Sequence, residues 1–290
     1  MPLTRLIYPA MLGCAMLTLT AEAADINARD FFSAPSGTQL GVLYLPTNRA
    51  NDFHGPADTN SHAELEVNAL AYRHVLFTEA CGTLCTPQFI VPYVQTDALL
   101  PGTTRRTAGR GVGDPQIGGT LFFINDPASR TYSGLLSLLT LPVGEYHANN
   151  PGVSPGANRW GATFNYNYTQ GVGEHWVLEA NLEAQLYGKN DDYYGMDLEQ
   201  APLYRLQAFA SYDFAATTYG ALRLVHADGG ELSLNDRTLD DTHQRYTQLG
   251  IELGHWLDRN NQLMVALSHN VDTDNGYHGA QALLRLSHVF

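Results

Sequence analysis

The sequence predicts an all-β fold: a single antiparallel transmembrane β-barrel of about twelve strands, of the outer-membrane type. Three observations lead there. Segments of about ten residues alternate between apolar and polar side chains, short and long connections mostly alternate between those segments, and the chain ends on such a segment with Phe290 as its last residue. Alternation with a period of two marks a strand with one apolar and one polar face.

The N-terminus reads as a secretory signal. Arg5 precedes an apolar run from Leu6 to Leu19, and Ala21 and Ala23 supply the small residues of a cleavage site, giving a signal at 1–23 and a barrel domain at 24–290. The "MLGC" around Cys14 is a poor lipoprotein acceptor, because it sits inside the apolar run. The remaining 267 residues (290 less 23) contain no apolar run of 18, so no transmembrane helix is available. No linker, repeat or low-complexity tract divides them. Loss of Arg5 and Glu22 together leaves the net charge at −13, and Lys189 is the sole lysine. That acidity argues against nucleic acid as a partner. An exported chain folds where disulfides persist, so Cys81 and Cys85 of "CGTLC" are expected to bridge across a short turn. A zinc site there lacks further ligands, and no cofactor or metal is expected.

The expected strands are 38–46, 63–78, 87–96, 114–124, 131–142, 159–170, 175–187, 202–212, 218–227, 243–256, 262–271 and 277–290. The segment "EHWVLEANLEAQLYG" is the clearest. Trp176, Leu178, Ala180, Leu182, Ala184 and Leu186 form one apolar row, and Glu179, Asn181, Glu183 and Gln185 lie in the opposite one. Its Ala, Leu, Glu and Gln favour helix by propensity. The same alternation recurs in "WGATFNYNYTQ", "YRLQAFASYD", "YTQLGIELGHW" and "NQLMVALSHN", and decides for strand; Phe209 is the one apolar residue in a polar row of "YRLQAFASYD". Tyr204 and Tyr212 at the two ends of an apolar row match the interfacial girdle of a membrane strand.

Long links are expected at 47–62, 97–113, 143–158, 188–201 and 228–242, and short turns at 79–86, 125–130, 171–174, 213–217 and 257–261. The link at 272–276 should be long on this scheme and is not. With an even strand count, the pattern places both termini on the periplasmic side. In the final strand Ala282, Leu284, Leu286, His288 and Phe290 share a face, which resembles the C-terminal signal read by the outer-membrane assembly machinery, with His288 where an aromatic is usual.

Two stretches carry a more specific resemblance: "GRGVGDPQIGGTLFF" (Gly109 to Phe123) and "LTLPVGEYHANNPGVSPGANRWGATFNYNYT" (Leu139 to Thr169). Together they resemble the outer-membrane family named for the meta-pathway of phenol degradation, over Gly37 to Phe290. The resemblance implies a β-barrel and passage of small, often aromatic, compounds. Gly111, Gly113, Gly144, Gly156 and Gly161 stand where loops meet strands, and Gly118 and Gly119 inside a strand imply a bend or close packing. A phosphate-cradling reading of "GRGVGD" fails for want of a following helix.

If the apolar rows face lipid, the opposite rows face the lumen. Glu179, Asn181, Glu183, Arg205, Arg223, Glu252 and Arg285 are the expected pore-lining residues, either as a network that stiffens the barrel or as a charged constriction. Small-molecule solutes, outer-membrane lipid and lipopolysaccharide, and the assembly machinery acting through Phe290 are the expected partners, in the outer membrane of a Gram-negative bacterium. Two rival functions stand beside the channel. One is a structural or adhesive barrel; the other is a phospholipase-like enzyme. For the enzyme only "LSHN" offers Ser268 and His269, which as strand neighbours point to opposite faces. His54 and His62 are expected to be solvated loop residues. Arg105, Arg106 and Arg110 in one loop face a choice between solvent and the acidic residues of 188–201 and 228–242.

Overall fold

The computed structural model describes residues 26–55, 60–80, 82–101 and 103–290. The expected signal segment and Cys81 lie outside the described residues. The strands are β1 (Gln39–His54), β2 (Asn60–Leu76), β3 (Cys85–Leu99), β4 (Arg106–Val112), β5 (Gln116–Asp126), β6 (Thr131–Thr140), β7 (Gly161–Val172), β8 (Trp176–Tyr187), β9 (Asn190–Tyr193), β10 (Met196–Gln200), β11 (Leu203–Ala215), β12 (Thr218–Gly229), β13 (Leu232–Leu234), β14 (Arg237–Thr238), β15 (Gln244–Trp256), β16 (Asn261–Asp274) and β17 (Gly276–Val289).

Twelve of these (β1, β2, β3, β5, β6, β7, β8, β11, β12, β15, β16 and β17) pair antiparallel with their neighbours in a closed ring. The first and last strands seal it, with Leu40 opposite Val289. Closure of these twelve removes the open edges of a flat sheet, although β4 pairs on one side only, with β3. Along β8 the apolar row is outside: Leu178 and Leu182 are 47% and 61% exposed, whereas Glu179 and Glu183 are 4% and 5% exposed. This is the inverse of a water-soluble sheet, and it is what a hydrocarbon solvent selects. Trp176, Tyr212, Phe214 and His175 cluster at the turn end of that outer surface, and Tyr204 and Trp160 stand exposed nearer the loop end.

Three expectations about the loops are corrected. Residues 47–62 are mostly strand: β1 and β2 stay paired through Ala50↔Leu65 and, after a one-residue shift between Ala50 and Asp52, to Phe53↔Ser61. Their Asn, Arg, Asp and His side chains suggest a loop, yet backbone pairing beyond the apolar band tolerates polar side chains. The same extension explains the short link near 272–276, because β16 and β17 run on together and turn tightly at Asn275, φ 52°.

Residues 97–113 contain β4, which pairs with one half of β3 while β5 pairs with the other. The wall strand is broken between them at Gly113–Asp114–Pro115. There the Asp114 carboxylate accepts the Gly144 and Ala157 amides at 2.8 and 2.7 Å, drawing in the loop after β6. A Cβ on Gly144 would lie 2.6 Å from the Gly113 carbonyl carbon, so this approach requires glycine.

Residues 188–201 and 228–242 contribute a second, four-stranded sheet in the order β14-β13-β10-β9. Tyr193, Leu198, Leu232 and Leu239 form its small core. Lys189 lies 2.5 Å from Asp197, whose carboxylate raises the ammonium pKa above its usual value. Arg106 pairs with Glu64 and Asp97 on β2 and β3, and not with these acidic loops.

Candidate functional site

The lumen has two unlike walls. Val42, Ala71, Val75, Ile90, Phe122 and Leu136 form an apolar wall on β1–β6. The opposite wall, on β7, β8 and β11, carries buried Asn165, Asn167, Thr169, Asn181, Gln207 and Ser211 among the charges. All seven expected lumenal residues (Glu179, Asn181, Glu183, Arg205, Arg223, Glu252 and Arg285) are buried and alternate with exposed outward residues.

The network reading describes part of this set. Strand register places Arg205 opposite Glu183, and Arg205 Nη1 donates to Glu183 at 3.1 Å. Gln207, Asn165 and Gln185 donate to the same carboxylate at 3.1, 2.9 and 2.7 Å. Asn181 accepts from Asn167 at 2.9 Å. Four donors around one carboxylate replace the water that burial removes.

Glu179 and Glu252 do something the sequence pattern did not indicate. Residues 26–34 fold inside the barrel, with Ile26, Ala28 and Phe31 almost fully buried against the apolar wall. The Arg29 amide donates to both Glu179 oxygens at 3.1 and 2.9 Å, and the Ala28 amide donates to Glu252 at 3.0 Å. Arg29 Nη1 reaches Asp213 at 2.6 Å, and Arg285 Nη1 reaches Asp30 at 2.5 Å. The Arg29 guanidinium also lies over the Tyr219 ring, 4.2 Å from its centroid. Carboxylates expected to line the lumen thus hold an N-terminal segment across it.

On the turn side of that segment is a cavity of about 340 Å³, lined by the segment itself, by β1, β2 and β17, and by single residues or pairs from β3, β5, β12, β15 and β16. Val42, Val75, Phe77 and Phe122 give it apolar sides, and Tyr44, Arg73 and Arg285 give it polar ones. Sequence reasoning missed Arg29, Asp30, Tyr44 and Arg73. For Arg73 the usable signal was a lone arginine in the row Ala69, Ala71, Val75, a row that reads as lipid-facing by its apolarity. The opposite row there holds Leu70, Tyr72, His74 and Leu76, so neither face of β2 is distinctly polar over 69–76.

Ser268 and His269 point apart: Ser268 is buried and bonded to Gln281, whereas His269 is exposed. His54 stacks on His278 with ring centroids 4.4 Å apart, and His62 lies 3.3 Å from Glu64. Among the described residues no group of three His, Cys, Asp or Glu is arranged to hold a metal. Most of the charged groups in the lumen are engaged in contacts with one another or with the N-terminal segment.

The fold is that of known outer-membrane barrels. An outer membrane channel from Pseudomonas putida F1 superposes with a TM-score of 0.84 at 23% identity, over 92% of this chain and 100% of that one. The translocator domain of the autotransporter NalP from Neisseria meningitidis gives 0.56 at 10% identity, over 99% and 98% of the two chains. The β domain of the Bordetella autotransporter BrkA gives 0.53 at 12% identity, over 88% and 99%. No curated protein matches this sequence. The profile of the family described as the MetA-pathway of phenol degradation matches residues 47–286. With most of its length matched and its wall closed as a twelve-stranded barrel, the chain belongs to that family.

Proposed function

We propose that the protein is a passive outer-membrane channel for small solutes of apolar or aromatic character, with both termini periplasmic and no catalytic role. The observation that carries this reading is the two-walled lumen with its cavity of about 340 Å³, within the ~300–1,000 Å³ of small-molecule sites. Twelve strands stand between the eight that side chains can fill and the sixteen that leave a broad aqueous pore. The seven buried polar residues line the route, Glu179 and Glu252 by holding the N-terminal segment and Glu183 and Arg205 by fixing the wall beside it. Support also comes from the family, whose description concerns phenol degradation, and from the similar Pseudomonas barrel, which is a channel. The exposed apolar band meets lipid, the charged loop end meets lipopolysaccharide, and Phe290 closes the strand that the assembly machinery reads.

The test is flux. Purified protein in liposomes should pass small aromatic solutes faster than sugars of similar mass, and its removal should slow uptake of aromatic compounds by cells. A second reading, a structural barrel without transport, is favoured by one observation: the N-terminal segment occupies the lumen. Absence of flux in liposomes together with unchanged uptake in the deletion strain would select it.

A further inference from the structure

The cavity on the turn side of the N-terminal segment contains a charge that its surroundings leave uncompensated. Three guanidinium groups line it (Arg29, Arg73 and Arg285) against one carboxylate, Asp30. Asp30 is engaged by Arg285, and Arg29 reaches out of the cavity to Asp213. Arg73 is different. It is 8% exposed, its Nε donates to Gln88 at 2.5 Å, and its Nη1 donates to the Tyr44 hydroxyl at 3.3 Å. Both partners are neutral, and no described carboxylate pairs with Arg73. Of five guanidinium protons, two are used by these bonds and three remain. Taking a cation out of water is costly unless an anion meets it. Val42, Val75, Phe77 and Phe122 give the cavity an apolar side, and Thr86 and Thr120 add uncharged hydroxyls to it.

We propose that this cavity is a binding site for a small aromatic carboxylate, its anionic head on Arg73 and its ring against Val42, Val75, Phe77 and Phe122. A planar guanidinium with adjacent free protons matches a carboxylate in two parallel hydrogen bonds. Gln88 and Tyr44 hold the guanidinium in place, so little side-chain freedom is lost when the anion arrives. The apolar sides select an organic anion over an inorganic one. Arg159, at the other end of the lumen, is also buried without a carboxylate partner and stacks on Tyr187 at 4.6 Å. The space beside it is only about 20 Å³, room for about one water, so it offers no comparable site. The proposal deepens the channel reading by naming the substrate class, and only the passage of the anion rests on that reading.

The experiment is calorimetric titration of the purified barrel in detergent with benzoate, benzamide and acetate. Benzoate should bind at least tenfold more tightly than benzamide, which shares its shape without its charge, and at least tenfold more tightly than acetate, which lacks the ring. Arg73→Met, checked for folding by heat-modifiability, should abolish the preference for benzoate over benzamide. Equal binding of benzoate and benzamide overturns the role of Arg73. Equal binding of acetate and benzoate overturns the aromatic assignment, and binding of none overturns the site. If Arg73→Met does not fold, the wild-type comparison still decides. Liposome flux reads the channel separately: binding without flux keeps the site and removes the channel, and benzamide flux without a benzoate preference does the reverse.

Discussion

The backbone amide of Arg29 donates to both carboxylate oxygens of Glu179, across 150 positions of sequence. One short segment is thereby tied to the first part of β8, and Ala28 ties it again to Glu252 on β15. Hydrogen bonds to a charged acceptor contribute roughly 1.5–3 kcal/mol each when formed in place of water. The lumen is therefore occupied by a segment held at several points, and not by loosely packed chain.

That occupancy predicts the first outcome. Deleting residues 26–34 should leave the barrel closed, because among the described residues the first wall strand starts at Gln39. Single-channel conductance in planar bilayers should rise several-fold. Unchanged conductance would mean that another obstruction, such as the loop-end sheet, sets the limit.

Glu183 and Arg205 make a buried pair on adjacent strands, with side chains 2% and 8% exposed. Removing either partner leaves a charge in a dry setting, at a cost of about 3–5 kcal/mol. Glu183→Gln and Arg205→Met should each lower the urea midpoint of the refolded barrel, while the double variant loses less than the two combined. Simple additivity would show that the pair is not coupled.

The outward face is tested by Leu182→Arg and Ile251→Arg. Both residues are exposed in mid-strand, and arginine near the bilayer midplane costs about 2–4 kcal/mol in such barrels. The heat-modifiable, folded fraction in vesicles should fall for both, and should hold for Leu182→Met. Full folding of the arginine variants would place these side chains outside the hydrocarbon.

The expected bridge between Cys81 and Cys85 has a simple readout. Cys85 is buried at the start of β3, where its N–H and C=O pair with Thr78 across the turn. Two alkylations should appear by intact mass only after reduction of the denatured protein. Alkylation of both thiols without reductant would exclude the bridge.

By itself the sequence determined the wall. Lipid on the outside demands an apolar side chain at every second position, so β8, β11 and β15 announce both their conformation and their facing through Leu178, Leu206 and Ile251. The seven polar lumenal residues follow from the same parity. Where neither face is distinctly polar, as at 69–76 in β2, parity is silent and Arg73 is lost among alanine, leucine and valine. Only tertiary structure decided what the lumen contains. Residues 26–34 have no two-residue period, and their partners lie 150 to 255 positions away, at Glu179, Glu252 and Arg285. No local pattern encodes such contacts, because they come into being only when the last strand closes on the first and turns a row of scattered charges into one enclosed surface.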